Sequence, residues 1–160
     1  MRQHNGTTRR DLLIGAGTIA GGIGLAGLVA VRPSEATPAT MQEAIRKVVG
    51  EATVNKGKVK LDIPPLTENG NTVACGVSVD SPMTADSYVK AIHVFNEKNP
   101  QPNVISIQLG PRAGRAAITT RIRLADTQSV TAIAELSDGT FWSDSVEVII
   151  TLGACLEDPV

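Results

Sequence analysis

The sequence predicts an all-β fold, and three observations predict it. Val, Ile, Ala and Thr dominate a chain of 160 residues whose aromatic content is only 2%, so its core must be built from small and β-branched side chains, which favour sheet. From Lys56 onward apolar residues recur with period two, the spacing of half-buried strands. Between these runs stand turn-forming residues: Pro64-Pro65, Asn69-Gly70, Ser81-Pro82, Asn99-Pro100, Gly110-Pro111, Asp126 and Asp138-Gly139. Short strands at such close spacing imply an immunoglobulin-like antiparallel β-sandwich of about seven strands, at 57–62, 71–79, 89–95, 104–109, 116–124, 129–136 and 145–152. A short helix and an export signal precede it, and the length suits one domain.

Residues 1–36 read as the export signal. Arg9 and Arg10 stand directly before an uncharged apolar run, Leu12 to Val31, rich in Gly and Ala, the pattern of a twin-arginine signal that routes a protein to the periplasm. The run is long enough to span a bilayer, but its glycines and the small residues Ala30, Ala36 and Ala39 favour cleavage over a permanent anchor. Gly15, Gly17 and Ala20, with Glu35 beyond them, also match a dinucleotide-binding fingerprint. No alternation of strands and helices follows, so a Rossmann site is not expected. Without residues 1–36 the chain keeps 11 basic and 14 acidic residues, a net charge of −3. That charge, with no cluster of Lys and Arg among aromatics, argues against nucleic acid as a partner. After cleavage no stable membrane association is expected.

Residues 37–55 form a linker and a short amphipathic helix. Thr40 and Glu43 have the spacing of a capping box, Met41, Ala44, Ile45 and Val48 make one apolar stripe, and Gly50 ends it. Residues 56–152 are the sandwich. In its last strand Val146, Val148, Ile150 and Leu152 alternate with Glu147, Ile149 and Thr151. Residues 153–160 are then a C-terminal arm, in which Gly153 and Ala154 give a small-residue hinge before Cys155.

Chemistry-bearing residues are few. Without the signal, His93 is the one histidine, and with Cys75 and Cys155 it makes too scattered a set for a metal site. His93 reads as an edge residue of a strand rather than a general base. No GxSxG elbow is present, and the carboxylates are scattered as on solvated faces. No catalytic constellation, cofactor or metal is expected. Cys75 shares an apolar strand face with Val73, Val77 and Val79 and reads as a small core residue. Export to an oxidising compartment leaves a Cys75–Cys155 disulfide open. The loop GPRAGRA, with Arg112 and Arg115, is either a polar turn or an anion or partner contact. Phe141 and Trp142, just past a tight turn, either cap the core's end or form a partner-facing patch.

The run from Asn71 to Pro102, the loop GPRAGRA, the run from Arg121 to Cys155 and the twin-arginine signal together resemble the SoxY family, sulfur-carrier subunits of bacterial thiosulfate oxidation. The similarity covers Lys58 to Cys155. It implies a periplasmic immunoglobulin-like protein, not itself an enzyme, in a heterodimer with a SoxZ-like subunit. It implies as further partners a haem-containing sulfur transferase, a sulfate-releasing hydrolase and a sulfur dehydrogenase, visited in turn. By position Cys155 is the residue that would carry the sulfur covalently. The family's ending is Gly-Gly-Cys-Gly-Gly, whereas Gly153 and Ala154 precede Cys155 here and Leu156-Glu157-Asp158-Pro159-Val160 come after it. Leu156 and Pro159 restrict the arm. Glu157, Asp158 and the terminal carboxylate each cost a thiolate about 0.5 kcal/mol at roughly 8 Å in water, which together raise its pKa by about one unit.

Overall fold

The computed structural model describes residues 37–154. The export signal with Arg9 and Arg10, and Cys155 with the five residues after it, lie outside the described residues.

The helix α1, Pro38–Val49, begins earlier than the spacing of Thr40 and Glu43 suggests. Thr37 is its cap: the Thr37 hydroxyl accepts from the Thr40 amide, and the Thr40 hydroxyl accepts from the Thr37 amide. Pro38 fits the first helical turn, where a missing N–H costs nothing. Glu43 is paired instead with Lys47 one turn on, at 2.9 Å. Gly50 closes the helix with φ of 60°. The expected stripe of Met41, Ala44, Ile45 and Val48 packs on Phe95, Ile133 and Phe141.

Among the described residues nine strands, rather than seven, come after the helix, in two sheets. They are β1 Val54–Lys56, β2 Val59–Asp62, β3 Leu66–Asn69, β4 Val73–Val79, β5 Val89–Asn96, β6 Asn103–Gln108, β7 Ala117–Ile122, β8 Gln128–Leu136 and β9 Phe141–Leu152. The larger sheet runs β1-β9-β8-β5-β6, with β3 also paired to β9; the smaller runs β2-β4-β7. All pairings are antiparallel except those of β1 and β3, which lie parallel to β9. The additional strands are the short β1 and β3, which borrow opposite ends of β9: Val54 faces Phe141 and Leu66 faces Ile149.

The main core lies between the sheets and contains Val73, Cys75, Val77, Ile92, Val94, Leu124, Val130 and Val148. The larger sheet is covered on its other face by α1, so β5 is buried along both faces and does not alternate. His93 lies on that strand, between β8 and β6, and is therefore interior rather than an edge residue. Asp144 of β9 accepts a hydrogen bond from the Leu61 amide at 2.8 Å, tying β2 of one sheet to β9 of the other.

Candidate functional site

The strand that leads toward Cys155 is the longest among the described residues. β9 has 12 residues, and its alternation holds from Val146, half-buried, to Thr151: Val148 and Ile150 are buried while Glu147, Ile149 and Thr151 are exposed, but Leu152, expected on the buried side, is exposed because the strand has by then run past β8. Beyond the reach of β8, Thr127 continues the ladder with its hydroxyl, which accepts from the Ile150 amide at 3.0 Å. The last residues enter a collar of backbone hydrogen bonds. The Gly70 amide donates to Leu152 O at 2.8 Å, the Leu124 amide to Gly70 O at 2.8 Å, and the Ala154 amide to Leu124 O at 2.9 Å. Ala154 is buried, as is Gly70.

The collar explains its glycines. A Cβ on Gly153 would lie 2.1 Å from Ala125 O, and one on Gly70 would lie 2.3 Å from Leu124 O and 2.9 Å from the Ala154 nitrogen. Both obstacles are backbone, and neither glycine has a positive φ. Gly153 is thus a glycine of close approach, not of conformational freedom, and the hinge expected at Gly153 and Ala154 is a fastened segment.

Side-chain amides hold the collar in place. The Asn99 side chain accepts from the Ala125 amide at 3.0 Å and donates to Arg123 O at 2.7 Å, gripping both sides of Leu124. Gln128, almost wholly buried, donates to Asn99 Oδ1 and to Asp126 O and accepts from the Lys98 amide. Lys98 closes the outside with an ion pair to Asp126 at 2.8 Å, which together with the Thr127 amide holds the Asp126 carboxyl below its ordinary range.

The other sequence-derived candidates lie elsewhere. Cys75 faces the core with no exposed surface and is a free thiol. Burial pushes its pKa up, and the Asp62 carboxylate adds to the same shift. Arg112 and Arg115 are exposed on the turn between β6 and β7, where Pro111–Ala113 makes a single 3-10 turn and Gly114 takes φ of 77°. Ala116 O accepts from the Val79 amide, so this loop lies beside the end of β4, about 20 Å along the strand from Val73. The arginines and the collar occupy opposite ends of the sandwich.

Phe141 is buried under α1 and is core, not a patch. Trp142 is half-buried, donates its indole N–H to the Thr140 hydroxyl at 3.0 Å, and lies beneath Lys58 Nζ at 4.7 Å. The pair marks the start of β9, about 36 Å along the strand from Leu152. His93 is buried, stacks on Phe95 and pairs its Nδ1 with the Ser106 hydroxyl at 2.9 Å. Among the described residues no three His, Cys, Asp or Glu side chains gather as a metal site requires.

A family model described as sulfur oxidation protein SoxY matches residues 45–155, more than two thirds of the chain. The chain belongs to the SoxY family. Its match begins in α1, runs through all nine strands and ends on Cys155 itself. Comparison with curated proteins finds none that matches. Among solved structures, the sulfur carrier protein SoxY from Chlorobium limicola f thiosulfatophilum superposes with a TM-score of 0.60 at 23% identity, covering 71% of this chain and 98% of that one. A superoxide reductase (neelaredoxin) from Ignicoccus hospitalis superposes with a TM-score of 0.52 at 19% identity, covering 72% and 94%. At these identities both show a shared fold.

Proposed function

We propose that this SoxY-family chain is a periplasmic carrier that binds sulfur-oxidation intermediates covalently on Cys155 and presents them to partner enzymes. One observation carries the assignment. Of the two cysteines, Cys75 is shut inside the core with its thiol pushed up, while Cys155 comes directly after the last fastened residue beyond β9, at the final position of the family match. A thiolate takes up sulfur by attacking a sulfur atom of a donor, forming one S–S bond as the donor's own bond breaks and its leaving group departs with the electron pair. The carrier needs neither base nor metal of its own for this, because each partner supplies them. Family membership supports a SoxZ-like subunit as the stable partner. Arg9 and Arg10 before the apolar run support export by the twin-arginine route.

The test is a reconstitution with the sulfur-oxidation proteins of the source organism, read by intact mass. Wild type should gain sulfur on Cys155, and Cys155→Ser should gain none while keeping its melting temperature and its partner subunit. Sulfur uptake by the Cys155→Ser protein, or a Cys75–Cys155 disulfide that persists in mild reductant, would overturn the carrier reading. Export is tested separately: Lys at both positions 9 and 10 should leave precursor in the cytoplasm, and normal maturation would refute the routing.

A further inference from the structure

The collar brings the end of the chain to a pair of arginines. A Cβ on Gly153 would meet Ala125 O, and the next residue, Ala154, donates to Leu124 O at 2.9 Å. As the chain advances by one residue its neighbour steps back by one, so the last described residues run toward Arg123. Ile122 and Leu124 are buried, while Arg121 and Arg123 alternate with them and are exposed, so both arginines stand on the outer side. Asn99 holds the Arg123 carbonyl at 2.7 Å and anchors the backbone from which that side chain projects.

Contact with residue 155 is within reach. The Ala154 hydrogen bond keeps the Arg123 Cα within about 11 Å of the Ala154 Cα, and an arginine side chain extends about 7 Å. The sulfur of residue 155 stays within about 7 Å of the Ala154 Cα while the collar is closed. The two reaches overlap.

The surrounding charges leave these cations available. Lys98 is taken up by Asp126 at 2.8 Å. Glu97 accepts from the Ser129 amide at 3.1 Å, Glu68 lies on β3 beside Thr151, and Asp62 is on β2, with β4 between it and β7. Among the described residues Arg121 and Arg123 have no ion-pair partner, although the chain without residues 1–36 carries a net charge of −3. Residue 155 in turn brings anions: its thiolate, any sulfur adduct that ends in a sulfonate, and Glu157 and Asp158 just beyond. A sulfonate presents its oxygens as a phosphate does, and a guanidinium meets such a group with two parallel N–H donors.

We propose that Arg123 holds the anionic end of the sulfur adduct carried on Cys155, with Arg121 adding to the same positive field. Arg123 makes and breaks no bond; it binds the cargo and offsets the repulsion from Glu157 and Asp158. The inference rests on the carrier reading and names the residue that steadies what is carried.

The experiment uses the full chain with its partner subunit, reduced, and compares two reagents at Cys155 by intact mass. Iodoacetamide is neutral and reports the thiolate alone. Tetrathionate is a dianion: the thiolate attacks an inner sulfur, one S–S bond forms as the central one breaks, thiosulfate leaves with the electron pair, and Cys155 keeps a sulfonate-ended adduct. Near neutral pH, Arg123→Gln should slow iodoacetamide by about threefold and tetrathionate by about tenfold at low salt, the second factor shrinking as salt is added. Arg123→Lys should restore the iodoacetamide rate and only part of the tetrathionate rate. Arg115→Gln, the same charge change at the opposite end of the sandwich, should alter neither, and all three variants should keep the wild-type melting temperature. Unchanged tetrathionate kinetics in Arg123→Gln overturn the proposal. Equal slowing of both reagents overturns it too, because Arg123 would then act on the thiolate and not on the adduct. Wild type that takes no sulfur at Cys155 in the reconstituted system defeats the carrier reading, and this inference with it; wild type that does, beside an unaffected Arg123→Gln, defeats the role of Arg123 alone.

Discussion

Gly153→Ala should loosen the C-terminal end without altering the core. The added Cβ would stand 2.1 Å from Ala125 O and 3.1 Å from the carbonyl carbon of the same residue, where a C···O contact needs about 3.3 Å. Both are main-chain atoms of a segment that Asn99 fastens at the Ala125 amide and at Arg123 O, so the obstacle cannot swing away as a side chain would. The least costly relief is for residues 153 and 154 to lift off the collar. That forfeits the Ala154 N–H to Leu124 O bond, worth about 1 kcal/mol net, and the burial of the Ala154 methyl, about 0.8 kcal/mol. A loss of about 2 kcal/mol from a domain of this size lowers the melting temperature by roughly 8 °C. Gly110→Ala is the control, because Gly110 has φ of −140° and nothing within 4 Å of an added Cβ; it should be neutral to within about 0.5 kcal/mol. Calorimetry gives the stability, and hydrogen exchange at the Ala154 amide locates the change. A Gly153→Ala protein that melts within about 1 °C of wild type, with the Ala154 amide still protected, would refute the close-approach argument.

Two further perturbations test how the sandwich is held. Burial lowers the pKa of His93 below 6.5, against a smaller opposing pull from Glu135; over the interval between the folded and unfolded values the unfolded chain binds more protons, so stability should fall as pH drops below about 6.5, and melting curves across pH 5–7 should lose that slope in His93→Gln. Identical slopes in the two proteins would count against it. Asp144→Ala strands the Leu61 amide and should cost about 1–3 kcal/mol by denaturant titration, whereas Asp144→Asn, which keeps an acceptor oxygen, should retain most of the stability; equal losses in both variants would show that the seam depends on charge instead.

Alternation made the sandwich legible from the sequence, and the places it failed have particular causes. The second half of β9 carries apolar residues at every other position from Val146 to Leu152, and the pattern survives folding as far as Thr151, whereas Leu152, beyond the ladder with β8, is exposed. Its first half does not alternate, because Ser143, Asp144 and Ser145 are accommodated by partners distant in sequence: Asn55 O, the Leu61 amide, and the hydroxyls of Ser129 and Thr131. β1 and β3 have three and four residues, too few for a period, and exist because β9 offers them an edge. The helix start was hidden by Thr40, which serves at the third helical position rather than at the cap. The collar had no local signal at all. It joins residues near 70, 99, 124 and 153, and a glycine required by a carbonyl 2.1 Å away looks, in sequence, the same as a glycine chosen for freedom.

A fastened root changes the meaning of the residues after Cys155. An arm flanked by glycines can thread a deep site, but each residue it orders there costs about 1–2 kcal/mol of backbone entropy. Here the fold has already ordered the chain up to Ala154, and Leu156 and Pro159 narrow the backbone choices beyond Cys155. Such a carrier suits an enzyme that meets the sulfur at the surface of the sandwich. Insertion of two glycines between Ala154 and Cys155 separates the two designs. If docking is matched to the short reach, the added residues must be ordered at about 2 kcal/mol or more, and adduct formation at low carrier concentration should slow by at least about tenfold. Alkylation by a small reagent, which needs no docking, should be unaffected. A threading arm would gain reach from the same insertion, so a reaction that stays as fast or accelerates would mean that the collar opens during transfer.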